Sequence, residues 1–263
     1  MNHKLYQVDA FSSEPFRGNP AAVCLLCWEE PDAWMQALAT EMNLSETAFL
    51  FKNCDDWDLR WFTPTTEVDL CGHATLASAR VLFEIQPELR GAPIRFQTRS
   101  GELTARWQDG RVELDFPVMR YQPISINPRV AQVLGFQPVE AVFSGSYYLF
   151  EAESPKYVYQ AHPNMAELIK LPMPEVIITA RSQDPNYDFI SRFFAPQLGI
   201  PEDPVTGSAH CLLTPYWSEK LCKAAFTAFQ ASARGGELIL QLVGDRVHIT
   251  GEAIIIFEAN LLM

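Results

Sequence analysis

The second half of the sequence repeats part of the first half, and this repeat strongly limits the folds that the chain can adopt. "CGHATLASARVLF" begins at Cys71 and "TGSAHCLLTPYW" begins at Thr206, an offset of 135 that aligns Gly72 with Gly207. Identical residues that occur in the same order at a constant offset indicate a structural unit that is present twice in the chain. We therefore predict two pseudo-symmetric domains.

Further matches support the repeat. The offset of 135 also aligns "GEL" at residues 101–103 with "GEL" at residues 236–238. Upstream, "RWFTP" at residues 60–64 resembles "RFFAP" at residues 192–196 with an offset three residues shorter, which one insertion explains.

The boundary between the two copies is predicted in "DFPVMRYQP", residues 115–123, where two prolines follow a strand pattern. We place the domains at residues 1–118 and 119–263, and the last strand could return to the first domain. Two domains of this size are ordinary for a chain of 263 residues.

Each copy mixes short strands with helices, which predicts an α+β fold. "PDAWMQALATEMN" is a helix by its apolar spacing, and "GHATLASARVLFEI" is a second helix rich in small residues, expected at the centre of its domain. The second copy supplies "GSAHCLLTPYW", beginning at Gly207, where Pro215 is expected to bend or end the helix. The strands are predicted at "YQVDAF", "AAVCLL", "TAFLF", "LRWF", "IRFQT", "ELTAR" and "RVELDF".

Charge and composition exclude several functions. A net charge of −12 without a basic cluster makes nucleic acid and anionic membranes improbable partners. No apolar run approaches the roughly 20 residues that cross a bilayer, and the six scattered cysteines are typical of a reducing cytoplasm. Cys24 and Cys27 form C-x-x-C inside an apolar strand pattern, so we expect two buried thiols and no zinc site.

The two glycine-led helix starts are candidate anion receptors. The first amides of a helix have no partner within the helix, and the helix dipole adds partial positive charge there. Two such starts in pseudo-symmetric domains could face each other across an interdomain cleft and bind a substrate carboxylate.

Glu46 is the candidate proton-transferring group. In "NLSETAF" it lies between a helix and an apolar strand. Partial burial raises the pKa of a carboxyl toward values that suit acid/base catalysis. The alternative is that Ser45 and Glu46 are ordinary turn residues at the surface.

Long segments of the chain resemble the PhzF-like isomerases of phenazine biosynthesis, a family with a diaminopimelate-epimerase-like fold. The segments are "DAFSSEPFRGNPAAVCLL", "MNLSETAF", "RWFTPTTEVDLCGHATLASARVLF" and "GIPEDPVTGSAH", and the resemblance runs from residue 5 to about residue 251. It implies that each domain is a strand-rich barrel around a central helix and that the site lies between the domains. It also implies a homodimer.

The resemblance assigns roles to individual residues. Glu46 matches the acid/base of the family, and the catalytic set is completed by His73 of "CGHAT" and Asp203 of "EDPVTGS". The matching substrate-binding positions are Asn19 of "GNP", Gly72, Gly207 and Ser208.

The related epimerases use two facing cysteines. Cys71 matches one of them, but the second copy offers Asp203 and Thr206 and no thiol. We therefore expect one carboxylate, Glu46, to move a proton on a small carboxylate-bearing substrate, without metal or organic cofactor.

Three alternatives remain. The scaffold could be a non-catalytic metabolite-binding protein, because a fold does not guarantee chemistry. A hydrolase using Ser208 and His210 is disfavoured, since residues two apart on a helix point in different directions. A metal site of His73, His210, Asp203 and Glu46 lacks the ligand pairs of known metal motifs.

Overall fold

The computed structural model of the chain describes residues 2–145 and 147–262. Strands dominate an α+β architecture in this described part. The strands are β1 (Lys4–Ala10), β2 (Asn19–Leu26), β3 (Glu46–Asn53), β4 (Asp56–Phe62), β5 (Glu67–Val68), β6 (Ile94–Thr98), β7 (Gly101–Gln108), β8 (Arg111–Pro117), β9 (Gln122–Pro123), β10 (Glu140–Ser144), β11 (Tyr147–Glu151), β12 (Glu175–Arg181), β13 (Phe189–Ala195), β14 (Ile200–Asp203), β15 (Ala225–Gln230), β16 (Gly236–Val243), β17 (Arg246–Gly251) and β18 (Ala253–Asn260).

The described part contains fewer helices than strands. Across residues 2–145 and 147–262, none of them is both long and apolar enough to traverse a bilayer. They are α1 (Asp32–Met42), α2 (Gly72–Ile85), α3 (Pro128–Leu134), α4 (Pro155–Tyr159), α5 (Met165–Leu168) and α6 (His210–Leu221), and short 3-10 helices occur at Pro87–Gly91 and Pro196–Leu198.

The chain divides into two compact units. Met1–Phe116 and His248–Met263 form the first unit, and Pro117–Val247 form the second. In the first unit β1 pairs with β2 antiparallel, β2 with β3 parallel, and β3 with β4 antiparallel. The order continues with β4 parallel to β6 and β6 antiparallel to β7. Strand β18 extends this sheet beside β1.

The second unit has the same order of pairings. Strand β10 pairs with β11 antiparallel, β11 with β12 parallel, β12 with β13 antiparallel, β13 with β15 parallel, and β15 with β16 antiparallel. Parallel neighbours need a crossover connection. In the first unit the crossovers contain α1 and α2, and in the second they contain α4, α5 and α6.

An arginine–glutamate pair occurs at the same place in both units. Arg60 of β4 binds Glu67 of β5 through Nε and Nη2, both at 2.7 Å. Arg192 of β13 binds Glu202 of β14 through the same two nitrogens, at 2.6 and 2.8 Å. Glu67 and Glu202 are 135 positions apart, which is the offset of the sequence repeat.

Helix α2 forms the centre of the first unit, as its small residues predict. It packs against β1, β2, β3, β7 and β18, and every residue from Gly72 to Phe83 except Arg80 is buried. Burial of each large apolar side chain on this helix, such as Leu82, contributes about 1.5–3 kcal/mol to folding.

Helix α1 covers another part of the same sheet. Its buried Met35 and Leu38 pack in one cluster with Phe49 of β3 and Cys24 of β2. Because β2 is covered on both faces, its apolar residues are continuous. The expectation of two buried thiols is wrong for Cys27, which follows the end of β2 and is exposed.

Helix α6 differs from its prediction at two points. Gly207, Ser208 and Ala209 form a turn, and the helix begins at His210. Pro215 lies inside the helix and does not end it. A proline has no N–H for the carbonyl four residues earlier, and that carbonyl, of Cys211, accepts instead from the Met119 N–H at 3.0 Å.

Candidate active site

Glu46 and His73 meet at the start of two elements of the first unit. Glu46 is the first residue of β3, and His73 is the second residue of α2. Asn43 ends α1 in the left-handed conformation, φ 50°, with its N–H bonded to the Ala39 carbonyl. Asparagine tolerates this conformation better than most residues, so the chain turns sharply before β3 and brings Glu46 to the strand end.

The two side chains form a buried polar contact. His73 Nε2 lies 3.2 Å from Glu46 Oε2, and the residues are 4 % and 9 % exposed, respectively. The contact does not have the geometry of a hydrogen bond, so it is a close polar contact. Catalytic hydrogen bonds are often poorly aligned before a substrate binds.

The other ring nitrogen of His73 is also occupied. Asn19 Nδ2 lies 3.2 Å from His73 Nδ1, and Cys71 Sγ lies 3.5 Å from the same atom. Burial lowers the pKa of His73 to about 3, because the interior disfavours the charged imidazolium. The imidazole is therefore neutral at physiological pH.

Glu46, Cys71 and His73 offer ligand atoms within 4.8 Å of one another, close enough to test as a metal site. Cys71 faces Nδ1 of the imidazole and Glu46 faces Nε2, and one imidazole nitrogen ligates one ion. A metal ion would use only one of these two ring nitrogens, and each of them already has a protein group beside it.

The start of α2 adds an anion-binding feature beside this cluster. Cys71 is the N-cap residue, and its side chain makes no capping hydrogen bond. The Cys71 carbonyl is already bonded, since Thr75 Oγ1 donates to it at 2.6 Å. The helix dipole and the first-turn amides therefore favour negative charge at Gly72 and His73.

Asp203 belongs to a separate cluster in the second unit. Thr206 Oγ1 donates to Asp203 Oδ2 at 2.5 Å, and Asp203 is 7 % exposed. Gln230 fixes the loop, because its Oε1 accepts from the Thr206 N–H at 2.9 Å and its Nε2 donates to the Asp203 carbonyl at 2.9 Å. The Thr206 hydroxyl thus holds the Asp203 carboxylate, and Gln230 holds the backbone of the same loop.

Ser208 is held by a half-buried tyrosine of the same unit. The Tyr147 hydroxyl donates to Ser208 Oγ at 3.0 Å. Burial raises the pKa of Tyr147, so the phenol keeps its proton and remains a donor. With its oxygen accepting from Tyr147, the Ser208 hydroxyl can donate its own proton elsewhere.

Comparison with known proteins assigns the chain to a family. The family model for PhzC-PhzF, described as phenazine biosynthesis-like protein, matches residues 8–259. The chain belongs to the PhzC-PhzF family. The resemblance found in the sequence motifs is confirmed, and so is the α+β fold class.

Relatives in the PhzC-PhzF family match over the full length. The chain is 48% identical over 264 residues to a protein of Halalkalibacterium halodurans named as an uncharacterized isomerase, covering 100% of both chains. It is 49% identical over 261 residues to a Pseudomonas aeruginosa protein with the same kind of name, covering 99% of each. A crystal structure of a PhzF-family phenazine biosynthesis protein from Enterococcus faecalis has a TM-score of 0.95 at 40% identity, with 100% of both chains covered.

The residues predicted from the PhzC-PhzF motifs fall into two groups. All members of each group lie within one of the two units. In the first unit they are Asn19, Glu46, Gly72 and His73, and in the second unit they are Asp203, Gly207 and Ser208.

The side-chain contacts of Ser208 and His210 oppose the hydrolase alternative. Ser208 Oγ bonds to Tyr147, whereas His210 Nδ1 lies 2.8 Å from the Thr206 carbonyl. A serine nucleophile needs a base within hydrogen-bond reach. These two side chains are engaged with different partners.

Sequence analysis missed three residues that support the second cluster. They are Tyr147, Thr206 in its role as donor, and Gln230. A buried glutamine in the apolar strand "AFTAFQ" was the available signal for Gln230, since a buried amide needs partners. Nothing near Tyr147 in the sequence indicates its contact with Ser208.

Proposed function

We propose that the chain is an isomerase that moves a proton within a small carboxylate-bearing substrate. Glu46 is the single acid/base, and the reaction uses no metal or organic cofactor. The contact between Glu46 Oε2 and His73 Nε2, at 3.2 Å in a buried place, carries the proposal. Two relatives at 48% and 49% identity are named isomerases, which supports the reaction class.

The chemistry of His73 favours Glu46 as the group that carries the proton. A neutral imidazole with a pKa lowered to about 3 is a poor proton acceptor at neutral pH. A proton taken by Glu46 from the substrate therefore stays on Glu46 and returns to another atom of the same substrate. His73 stabilises the carboxylate form through its polar contact.

The absence of a second thiol in the repeat opposes a two-thiol racemase. Cys71 aligns with Thr206 at the offset of 135, and the Thr206 hydroxyl donates to Asp203. We assign Asp203 to the same reaction as a second acidic group. Gly207 and Ser208 bind substrate in this proposal, with Gly72 at the start of α2. The substrate-binding role that the motifs imply for Asn19 is not part of it, because Asn19 is fully buried and its amide is directed at His73.

The carboxylate in the substrate is proposed from the start of α2. The 14-residue helix has no side-chain cap at Cys71, and a carboxylate would complete its first-turn hydrogen bonds. A homodimer, a cytoplasmic location and a role in a biosynthetic process stay predictions.

The test is deuterium incorporation from D₂O into small carboxylic acids. A panel of unsaturated and cyclic acids is incubated with the protein and followed by NMR. Wild-type protein should label or isomerise at least one acid. Glu46→Gln should lower that rate by about 10²–10⁴-fold, because the variant cannot accept the proton.

Glu41→Gln is the matched control, since Glu41 lies on α1 and is exposed. It should react at the wild-type rate. Full activity of Glu46→Gln would remove the acid/base role from Glu46. An acid that binds wild-type protein without deuterium exchange would instead favour the metabolite-binding alternative.

A further inference from the structure

Asn19 has a role that differs from substrate binding. It is the first residue of β2 and is fully buried. Its partner across the β1–β2 hairpin is Ala10. Its Nδ2 atom lies 3.2 Å from His73 Nδ1, so its amide is directed at the ring nitrogen that faces away from Glu46.

A neutral imidazole has one ring proton, and its neighbours decide where that proton lies. An amide NH₂ group can only donate a hydrogen bond. His73 Nδ1 must accept from Asn19 Nδ2, which places the proton of His73 on Nε2. The Cys71 thiol, 3.5 Å from Nδ1, can donate to the same acceptor.

The Nε2–H tautomer also suits the opposite side of the ring when Glu46 is a carboxylate. His73 Nε2 is 3.2 Å from Glu46 Oε2. A ring lone pair and a carboxylate oxygen at this distance would repel each other, whereas Nε2–H is attracted to the carboxylate. We infer that Asn19 is a positioning residue that holds His73 as the Nε2–H tautomer, with the ring proton on the side of the ring nearer to Glu46.

The tautomer determines how Glu46 begins the reaction. With the proton on Nε2, Glu46 is stabilised as a carboxylate and is ready to accept a proton from the substrate. With the proton on Nδ1, the Nε2 lone pair would favour a Glu46 that already carries its own proton. The catalytic consequence rests on the proposed function, but the tautomer itself does not.

The wild-type protein provides the primary test. Protein labelled with ¹⁵N at histidine is examined at pH 7 by long-range ¹H–¹⁵N correlation, which distinguishes the two tautomers, and His73→Gln identifies the signals of His73. His210 is an internal reference, because its Nδ1 lies 2.8 Å from the Thr206 carbonyl, which can only accept. We expect His210 as the Nδ1–H tautomer and His73 as the Nε2–H tautomer.

Asn19→Asp tests the cause. The new carboxylate can only accept, so the proton of His73 should move from Nε2 to Nδ1. The turnover number should fall by about 10²-fold while KM changes little, since the variant loses its base and not its substrate contacts. Asn186→Asp, the same change at an exposed loop position, should alter neither the His73 signals nor turnover.

The outcomes separate this inference from the proposed function. A wild-type His73 with its proton on Nδ1, or an Asn19→Asp variant whose His73 keeps Nε2–H, would overturn the role of Asn19. An active Glu46→Gln variant with wild-type His73 as Nε2–H would overturn the proposed function alone. The wild-type spectrum does not depend on Asn19→Asp, so folding defects in that variant leave the inference testable.

Discussion

Arg192 binds Glu202 through two parallel hydrogen bonds, with Nε to Oε1 at 2.6 Å and Nη2 to Oε2 at 2.8 Å. Its third nitrogen, Nη1, donates to the Ala161 carbonyl at 2.6 Å. The arginine side chain is 10% exposed. Because Glu202 directly precedes Asp203, this pair fixes the backbone next to a proposed catalytic residue.

Arg192→Lys should lower the free energy of unfolding by about 2–4 kcal/mol. A lysine keeps the charge but cannot reproduce the planar fork that binds both carboxylate oxygens. Urea denaturation at neutral pH measures the change.

Arg60→Lys is the matched variant in the first unit. Arg60 also forms two bonds with one carboxylate, but its side chain is 27% exposed, and water can replace part of the lost contact. We expect a loss of less than about 2 kcal/mol. Equal losses of stability in Arg192→Lys and Arg60→Lys would contradict the idea that burial strengthens the arginine–glutamate pair.

The repeat could be predicted from the sequence because ordered identities reflect a shared order of strands. Glu67 and Glu202 lie at the repeat offset, and both bind an arginine of an equivalent strand. Helix α2 was predictable as a central helix from its small residues, since these allow strands to approach closely.

The details of the site were less predictable because they depend on tertiary packing. Glu46 and His73 are 27 positions apart in the sequence, and only the β2–β3 register and the start of α2 bring them together. The late start of α6 depends on hydrogen bonds of the turn, such as that from the His210 N–H to the Gly207 carbonyl at 3.0 Å. Local sequence preference does not determine these contacts.

Gly18 is required by the backbone immediately before Asn19. It has φ +65°, and a Cβ atom there would lie 2.1 Å from the Ala10 carbonyl oxygen. Gly18→Ala should therefore destabilise the protein by at least about 3 kcal/mol, combining backbone strain with a clash that the hairpin must relieve by moving. Thermal or urea denaturation measures the loss, and displacement of Asn19 should also change the His73 signals.

Gly135→Ala is the control for Gly18→Ala, because it tests the strain of a positive φ angle without a steric clash. Gly135 ends α3 with φ +81°, but a Cβ atom there would meet nothing within 4 Å. The expected loss is only the strain of the left-handed conformation, about 1–2 kcal/mol. If Gly18→Ala is as stable as Gly135→Ala, the β1–β2 hairpin can relieve the clash without a loss of stability.

Gln230 supports the Asp203 loop and is 1 % exposed. Gln230→Met keeps the approximate size of the side chain but removes its bonds to the Thr206 N–H and the Asp203 carbonyl. Because these buried backbone groups would lose their partners, we expect a loss of about 2–4 kcal/mol in the free energy of unfolding. Activity should fall as well, since the loop carries Asp203.

Gln183→Met, at an exposed loop position, is the control for Gln230→Met and should change neither stability nor activity. A Gln230→Met variant as stable as this control would mean that the loop does not depend on the glutamine.

His210 connects the second cluster to the pH dependence of stability. It is fully buried, and its Nδ1 bonds to the Thr206 carbonyl. The aligned residue in the first unit, Thr75, makes the same bond to the Cys71 carbonyl. Burial lowers the pKa of His210 to about 4 from its ordinary value of 6.5, so the folded protein keeps this ring neutral in mild acid.

The unfolded chain binds a proton at His210 below pH 6.5, whereas the folded protein does so only near pH 4. The free energy of unfolding should therefore fall as the pH falls through this window, by up to about 1.4 kcal/mol per pH unit.

His210→Asn retains a donor for the Thr206 carbonyl but cannot titrate, so between pH 7 and pH 5 it should lose about 2 kcal/mol less stability than the wild-type protein. Urea denaturation at the two pH values measures this difference, and the exposed His162→Asn is the matched control. Parallel losses in His210→Asn and wild-type protein would show that folding does not lower the pKa of His210, because the extra acid sensitivity of the wild-type protein arises only from a ring that burial keeps neutral.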